Sequence, residues 1–197
     1  MSLLTSSFED KTEFDSLNCN TYVFKQLFAG MSNLVDASNL VIPATDLSTP
    51  YNAYIFMQMF DSCTALTAAP KLPATKLVQG CYYLMFNNCT SLSTAPELPA
   101  TQLAGGCYQN MFQGCTSLTD APDLPATTLY SDCYNAMFNG CSSLSSISVN
   151  FTDWNASYYT GYWVTSVAQN GTFTKPSDLS EINGDDYIPY GWTVVNK

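Results

Sequence analysis

The chain contains no histidine and no arginine, and its 6 basic residues are all lysines. Its 16 acidic residues give a formal net charge of -10 over 197 residues. Nucleic-acid binding needs clustered cations against phosphate, so the composition argues against it. An anionic membrane surface is disfavoured for the same reason. Without histidine, the chain lacks the commonest general base and the commonest transition-metal ligand.

Long apolar runs are also absent, so the sequence predicts no transmembrane helix and no membrane insertion. Residues 1–14 have neither a basic region nor a long apolar stretch and do not resemble a signal peptide. We therefore expect either a protein that is not secreted by that route or a fragment of a longer one. An apolar content of 46% favours a folded domain over disorder.

A phrase of 26 residues recurs along the chain. It reads CYYLMFNNCTSLSTAPELPATQLAGG from Cys81 and CYQNMFQGCTSLTDAPDLPATTLYSD from Cys107, with further copies from Ile55 and Cys133. A Met-Phe pair marks each regular copy, at Met59, Met85, Met111 and Met137. A fixed period in the twenties indicates stacked units, none of which buries its apolar face alone.

These copies divide the chain into three parts. Residues 1–22 are acidic and polar and are predicted to form an N-terminal cap or an incoming linker. Residues 23–148 are the repeats, and they begin with a degenerate copy that has Leu27-Phe28 in the Met-Phe place and an insertion before Met59. Residues 149–197 hold all three tryptophans and are predicted to form an aromatic C-terminal cap.

Within a copy, the spacing of the apolar residues predicts a short helix. Cys107, Met111 and Cys115 are spaced i, i+4 and i+8, and Gly114 would end the helix in a left-handed conformation. The next segment, TSLTDAPDLP, is predicted to be extended. Its prolines each remove a backbone donor, so we expect strands of only about two to four residues.

The C-terminal part is predicted to add one aromatic helix over residues 158–167, then a strand at 171–175 and a closing turn and strand. The expected fold is an α/β solenoid of 26-residue units, with a narrow parallel sheet on one side, short helices on the other and caps at both ends. The predicted core residues are Met85, Phe86, Leu92, Met111, Phe112, Leu118, Met137, Phe138 and Leu144.

Seven of the eight cysteines occupy two slots of the repeat. One slot holds Cys81, Cys107 and Cys133, and the other holds Cys63, Cys89, Cys115 and Cys141. Because Ile55 occupies the first slot in one copy, we interpret these residues as small buried hydrophobes and predict no disulfides among them. Cys19 lies outside the pattern. Zinc needs close Cys or His pairs, so no metal site is predicted, and no cofactor is expected.

The motif MF-x-x-C-T-S-L-x-x-A-P-x-L-P resembles the BspA-like leucine-rich repeat. The longer version with LPATTL and CY-x-x-MF is similar to a group from gut Bacteroidales and their phages, whose members often end in GTFTK and GWTVV, as at 171–175 and 191–195 here. The resemblance covers roughly residues 20–197. It implies a leucine-rich-repeat solenoid that acts as a surface-exposed adhesin or binding module.

Two function classes remain from the sequence. The first is a non-enzymatic module that binds a protein or glycan on a cell surface through exposed slots that vary between copies. The second is a phage or prophage tail component, located on the virion. Five residues in the variable slots are the candidate binding residues: Lys71, Thr94, Glu97, Asp120 and Asp123.

An enzyme is the third and least favoured class. Asp120 and Asp123 are paired carboxylates of the kind that glycoside hydrolysis uses. A solvent-facing slot is a poor place to raise the pKa of a carboxyl, so we predict no catalytic residues. The aromatic side chains of the predicted C-terminal cap, such as Tyr158 and Trp163, are the alternative binding surface, although a core or cap role is expected for them.

Overall fold

The computed structural model describes residues 21–42, 45–154 and 158–197. Nearly all of the predicted N-terminal cap, residues 1–22, lies outside the described residues. Cys19 also lies outside them. Three strands form a parallel sheet in the order β1-β2-β3: β1 is Ser146–Ser148, β2 is Thr172–Lys175 and β3 is Thr193–Asn196. The remaining regular element is a 3-10 helix at Pro50–Asn52, in the insertion that separates the degenerate copy from the regular ones.

The predicted short helices are wrong, because the described residues contain no α-helix. Each copy instead has a run of consecutive β-turns, which we call a turn ribbon. In the ribbon at 105–114, the N–H of Met111 donates to the carbonyl oxygen of Tyr108 (3.1 Å) and the N–H of Cys115 to that of Phe112 (3.0 Å). The other ribbons are at 21–30, 53–62, 79–88, 131–140 and 161–166.

A left-handed residue at every fourth position produces the turn ribbon. Gly106, Asn110 and Gly114 have φ of 60°, 56° and 72°, and the equivalent residues of the neighbouring copies are also positive. An α-helix needs negative φ throughout, so it cannot pass these positions. Glycine and asparagine tolerate the left-handed region better than other residues do. Gly114 is therefore one of a regular series and does not end a helix.

Side chains leave the ribbon in pairs, two inward and two outward. Cys107 and Tyr108 are buried, Gln109 and Asn110 point toward solvent, and the next pair is buried again. This period of four produces the same i, i+4 spacing as an amphipathic helix, which explains the wrong assignment. The predicted core is nevertheless confirmed, since all nine residues have 0% exposure.

Within a ribbon, every second backbone N–H group closes a turn. The N–H groups between them donate to the adjacent ribbon. The N–H of Tyr108 donates to the carbonyl oxygen of Cys133 (3.1 Å), and the N–H of Phe112 to that of Met137 (3.0 Å). Every such bond runs from one copy to the next copy along the chain. Aromatic rings stack inside this ladder, with the Phe112 and Phe138 rings 5.9 Å apart and 2° from parallel.

The opposite side of each copy pairs as a parallel sheet, but only briefly. Between successive copies the pairing is one or two isolated bridges, such as Thr94 with Asp120, or Asp120 with Ser146 and Leu124 with Val149. The prolines of each copy explain this, because they cannot donate to a continuous ladder. Longer strands appear only beyond the last Ala-Pro-x-Leu-Pro segment, at 121–125, and they contain no proline. The predicted strands near 171–175 and the C-terminus are confirmed as β2 and β3.

The C-terminal part adds a sixth turn ribbon where an aromatic helix was predicted, so that prediction is also wrong. Trp163 is buried in this ribbon and packs among the aromatic rings of the preceding copy and the strands. Beyond it, the chain supplies acceptors for the last free N–H groups. Asp186 Oδ1 accepts a hydrogen bond from the N–H of Tyr162 (2.6 Å). The carbonyl oxygen of Asp185 accepts one from the N–H of Val164 (3.2 Å).

Lys175 at the end of β2 is 1% exposed. Its Nζ donates to the carbonyl oxygen of Leu179 (2.7 Å) and to Oδ1 of Asn196 in β3 (2.9 Å), and it lies 3.6 Å from Oε1 of Glu181. A buried ammonium group needs such oxygen partners to offset its desolvation. The lysine therefore joins the last two strands to the loop at 176–181.

Leu84 tests the turn-ribbon geometry, because it holds a left-handed slot with φ of 56° while asparagine occupies the same slot in the next copy. We expect Leu84→Asn to raise the free energy of unfolding by about 0.5–1 kcal/mol, and Leu84→Val to lower it by about 1 kcal/mol. Urea denaturation measures both. Tyr83→Asn is the control at a residue without positive φ and should give no gain in the free energy of unfolding. An equal gain at Tyr83 would contradict the assignment of the left-handed position to Leu84.

Asp186 tests the end of the hydrogen-bond ladder. We expect Asp186→Ala to lower the free energy of unfolding by about 1–2 kcal/mol, by analogy with the loss of a helix N-cap. Asp186→Asn keeps an acceptor and loses the charge, so its cost should be smaller, about 0.5 kcal/mol. Asp185→Ala keeps the backbone acceptor and should change little. Equal unfolding midpoints for wild type and Asp186→Ala in thermal denaturation would refute the capping role.

Candidate functional site

Two of the five predicted binding residues line one shallow groove on the sheet side. Glu97 and Asp123 are exposed and flank a cavity of about 280 Å³ whose other walls include Pro96, Pro99 and Pro122. The rigid prolines fix the backbone of the groove, while the two carboxylates come from equivalent slots of adjacent copies. The structure therefore brings these two candidate residues together at one groove.

The other three predicted residues are exposed but do not line that groove. Thr94 and Asp120 are partners in an isolated parallel bridge, so they lie side by side on neighbouring copies. The Asp120 carboxylate accepts a hydrogen bond from the Thr119 hydroxyl (2.8 Å). Lys71 is exposed one copy further toward the N-terminus. The five residues thus share one side of the molecule without converging on one pocket.

A larger cavity, of about 510 Å³, lies on the turn-ribbon side and was not predicted. We call it the glycine notch and define it by the residues that bound it: Tyr54, Tyr83, Gly105, Gly106, Ser131 and Asp132. Gly105 and Gly106 line it with backbone atoms, and Gly105 has no side chain where the neighbouring copies have Gln79 and Ser131.

Stacked tyrosine rings form one end of the glycine notch. The rings of Tyr22 and Tyr54 lie 5.4 Å apart and 13° from parallel. Tyr54 folds over Gly80, where a Cβ atom would collide with the tyrosine ring. Gly80 also has φ of 59°, so glycine is required there by both the backbone and the neighbouring ring.

A carboxylate held by its neighbours forms the other end. Asp132 accepts hydrogen bonds from the Ser131 hydroxyl (2.9 Å) and from Nδ2 of Asn135 (3.3 Å). Lys25 also lines the cavity, with its Nζ 5.2 Å from the centre of the Tyr22 ring. The notch thus combines aromatic faces, a fixed carboxylate and one cation.

One sequence signal for this site was present and was missed. The double glycine at 105–106 occurs in a single copy. In the neighbouring copies, glutamine or serine precedes the left-handed residue. In a strict repeat, the loss of one outward side chain leaves a gap in a row. The tyrosine wall was not visible in the sequence, because Tyr22 and Tyr54 belong to copies separated by the insertion.

The seven cysteines of the repeat are buried free thiols. In the second slot, each thiol lies against a carbonyl oxygen of the preceding copy; Cys115 Sγ, for example, is 3.1 Å from the carbonyl oxygen of Phe86. Burial raises the pKa of Cys81, Cys133 and Cys141 to about 12. Since the thiolate is the nucleophile and the metal ligand, these cysteines are chemically inert in the folded chain.

Metal-binding and membrane-spanning features are absent from the part of the chain that the structure describes. Residues 21–42, 45–154 and 158–197 contain no group of three or more Cys, Asp or Glu side chains placed to hold a metal ion. The same residues contain no helix long and apolar enough to cross a bilayer.

Comparison with known proteins identifies no relative. No protein-family model, curated protein or solved structure matches this chain.

The buried thiols predict a stability that falls in alkali. Their pKa is raised in the folded state, so the unfolded chain loses its thiol protons first, near the ordinary value of 9.0. Stability is therefore full below about pH 9 and declines as pH rises toward 12. At pH 10 we expect a loss of about 1 kcal/mol per thiol relative to pH 8, measured as the free energy of unfolding in urea.

Cys107→Ala is the matched variant for this prediction. Burial holds the pKa of Cys107 well above its usual range, so removing this thiol should reduce the loss of stability between pH 8 and 10 by about 1 kcal/mol, the share of one thiol. Iodoacetamide labelling at pH 8 is the second measurement, and the seven repeat thiols should react only after denaturation. Rapid labelling of the native protein at these positions would contradict the burial.

Proposed function

We propose that this chain is a non-enzymatic binding module that recognises a glycan or a protein on a cell surface through side chains of its repeats. We further propose that the stacked copies form a leucine-rich-repeat solenoid of the BspA-like type, with turn ribbons in place of the helices of that family. The proposal places the protein on a cell surface or on a virion. In either setting, adhesin or phage tail component, it acts by binding.

The observation that carries this proposal is the contrast between the inward and outward slots. The inward aromatic slot holds Phe60, Phe86, Phe112 and Phe138, stacked and buried. The outward slot three residues earlier in each of these copies holds Met57, Tyr83, Gln109 and Asn135. On the sheet side, the slot of Lys71, Glu97 and Asp123 changes sign between copies.

Backbone bonds and buried rings hold the stack, so the outward side chains are not needed for folding. A rigid support with free side chains at regular intervals is the arrangement that recognition by repeat proteins requires. The rigid support also reduces the loss of conformational entropy on binding, because the residues that contact a partner are already fixed in place.

Catalysis receives no support from the arrangement of the described residues. The two carboxylates of the sheet-side groove, Glu97 and Asp123, are exposed to solvent. The buried thiols line neither of the two cavities described above and have no histidine to activate them, since the chain contains none. These features favour binding over a chemical reaction.

The experiment is binding of the whole chain to an array of immobilised glycans and to a panel of cell-surface proteins, with wild type and two double variants. Asp120→Ala with Asp123→Ala removes two of the three candidate acids of the sheet side and leaves Glu97 in place. Asp178→Ala with Asp185→Ala removes two exposed acids from the C-terminal part and matches the change in net charge. Exposed acids contribute little to folding, so both variants should unfold like wild type.

Binding by wild type to at least one class of ligand is the expected result. A loss of binding in the first double variant alone would place the partner on the sheet side. Binding to none of the glycans or proteins, by a chain shown to be folded by its tryptophan fluorescence, would refute the proposed function.

A further inference from the structure

We propose that the glycine notch is a subsite for one ring of a neutral oligosaccharide. The inference rests on the proposed binding function and specifies both its place and its ligand. It moves the binding site from the sheet side, where the sequence placed it, to the turn-ribbon side.

The notch has the dimensions of a small-ligand site. Its volume of about 510 Å³ lies within the range of roughly 300–1,000 Å³ that is usual for ligand pockets. Stacked copies are spaced by about 4.8 Å, so the backbones of Gly80, which lies under the Tyr54 ring, and of Asp132 are roughly two spacings, about 10 Å, apart. A six-membered sugar ring can lie across this length with its linkages directed along the stack.

The tyrosine end supplies the apolar contact that a sugar ring uses. Tyr54 is half-buried and is fixed on both sides, by the stacked ring of Tyr22 and by the backbone of Gly80. Tyr83 is also half-buried and lines the same cavity. Because both faces of the Tyr54 ring are already covered, Tyr83 supplies the apolar contact for a sugar ring, with the edge of Tyr54 beside it.

The opposite end supplies directed polar contacts. The Asp132 carboxylate accepts bonds from Ser131 and Asn135, which use part of its acceptor capacity and set its orientation. Hydrogen bonds from sugar hydroxyls to an ionised carboxylate are stronger than those between neutral groups. Gln109 lines the same cavity and adds an amide that can both donate and accept.

Charge favours a neutral ligand. The notch contains one cation and one anion, Lys25 and Asp132, and the chain as a whole carries -10. An acidic saccharide would meet the repulsion of the net charge. A protein surface is disfavoured by the shape, because a flat partner cannot reach the glycine floor between the tyrosine and aspartate walls.

Gly105→Gln is the variant that tests the notch. It places on the floor the side chain that Gln79 has in the equivalent slot of the preceding copy. Gly105 does not have a positive φ, and a Cβ atom there would meet only the carbonyl oxygen of Ser131, at 3.6 Å. The variant should therefore fold with unchanged stability and fill the cavity.

The probes are trisaccharides of glucose, mannose, galactose and N-acetylglucosamine, each titrated at up to about 1 mM into the whole chain and followed by NMR. We expect at least one to bind and to shift ring protons of Tyr54 or Tyr83. Gly105→Gln should weaken that binding by roughly tenfold or more, and Asp132→Asn by a smaller factor, because asparagine keeps an acceptor and tolerates the φ of 56°.

Asp178→Asn, in the exposed loop at 176–181 and outside both cavities, is the control and should bind as wild type does. Unchanged affinity in Gly105→Gln would overturn the notch as the site while leaving the proposed binding function intact. Binding to none of the four trisaccharides would overturn the saccharide assignment, and a protein-only result in the panel of cell-surface proteins would identify the error as one of ligand class.

Discussion

The structure depends on a backbone hydrogen-bond ladder in which all bonds between turn ribbons point the same way. Odd and even residues of a ribbon have different roles: the N–H of Met111 closes a turn, and the N–H of Phe112 reaches the next copy. This division satisfies every second donor locally and leaves the others for stacking. It also requires a left-handed residue at each fourth position, which suits Gly106, Asn110 and Gly114 in one ribbon but is also imposed on residues such as Leu84 and Ala136 in others.

The common direction of these bonds gives the stack two different ends. Aligned peptide dipoles add, as they do in an α-helix, and the end with free N–H groups carries partial positive charge. That end is the C-terminal one, where Asp186 accepts from Tyr162. On the sheet side, bonds run both ways between copies, as with Ala121 donating to Ser146 and Ser145 donating to Thr119, so no such polarity develops there.

Because the ladder uses backbone atoms alone, an outward side chain can be lost without disturbing the stack. The double glycine at 105–106 opens the glycine notch, while Cys107 and Tyr108 next to it remain fully buried. The same independence lets the row of Lys71, Glu97 and Asp123 vary in charge. The division between a fixed interior and a free surface is the physical basis of the proposed recognition function.

The sequence by itself determined which residues form the core, where the copies begin and that the cysteines are inert, because burial follows from repetition of apolar positions. Phe112 and Cys115 were placed correctly on that ground. The conformation of the ribbon was decided only in the tertiary structure, since an i, i+4 pattern fits both a helix and a series of four-residue turns. The four-residue spacing of Gly106, Asn110 and Gly114 distinguishes a series of turns from a helix. Half of the backbone N–H groups of a ribbon, however, donate to carbonyl oxygens of another copy. The glycine notch likewise required the structure, because its walls come from side chains of copies far apart in the chain, brought together by stacking.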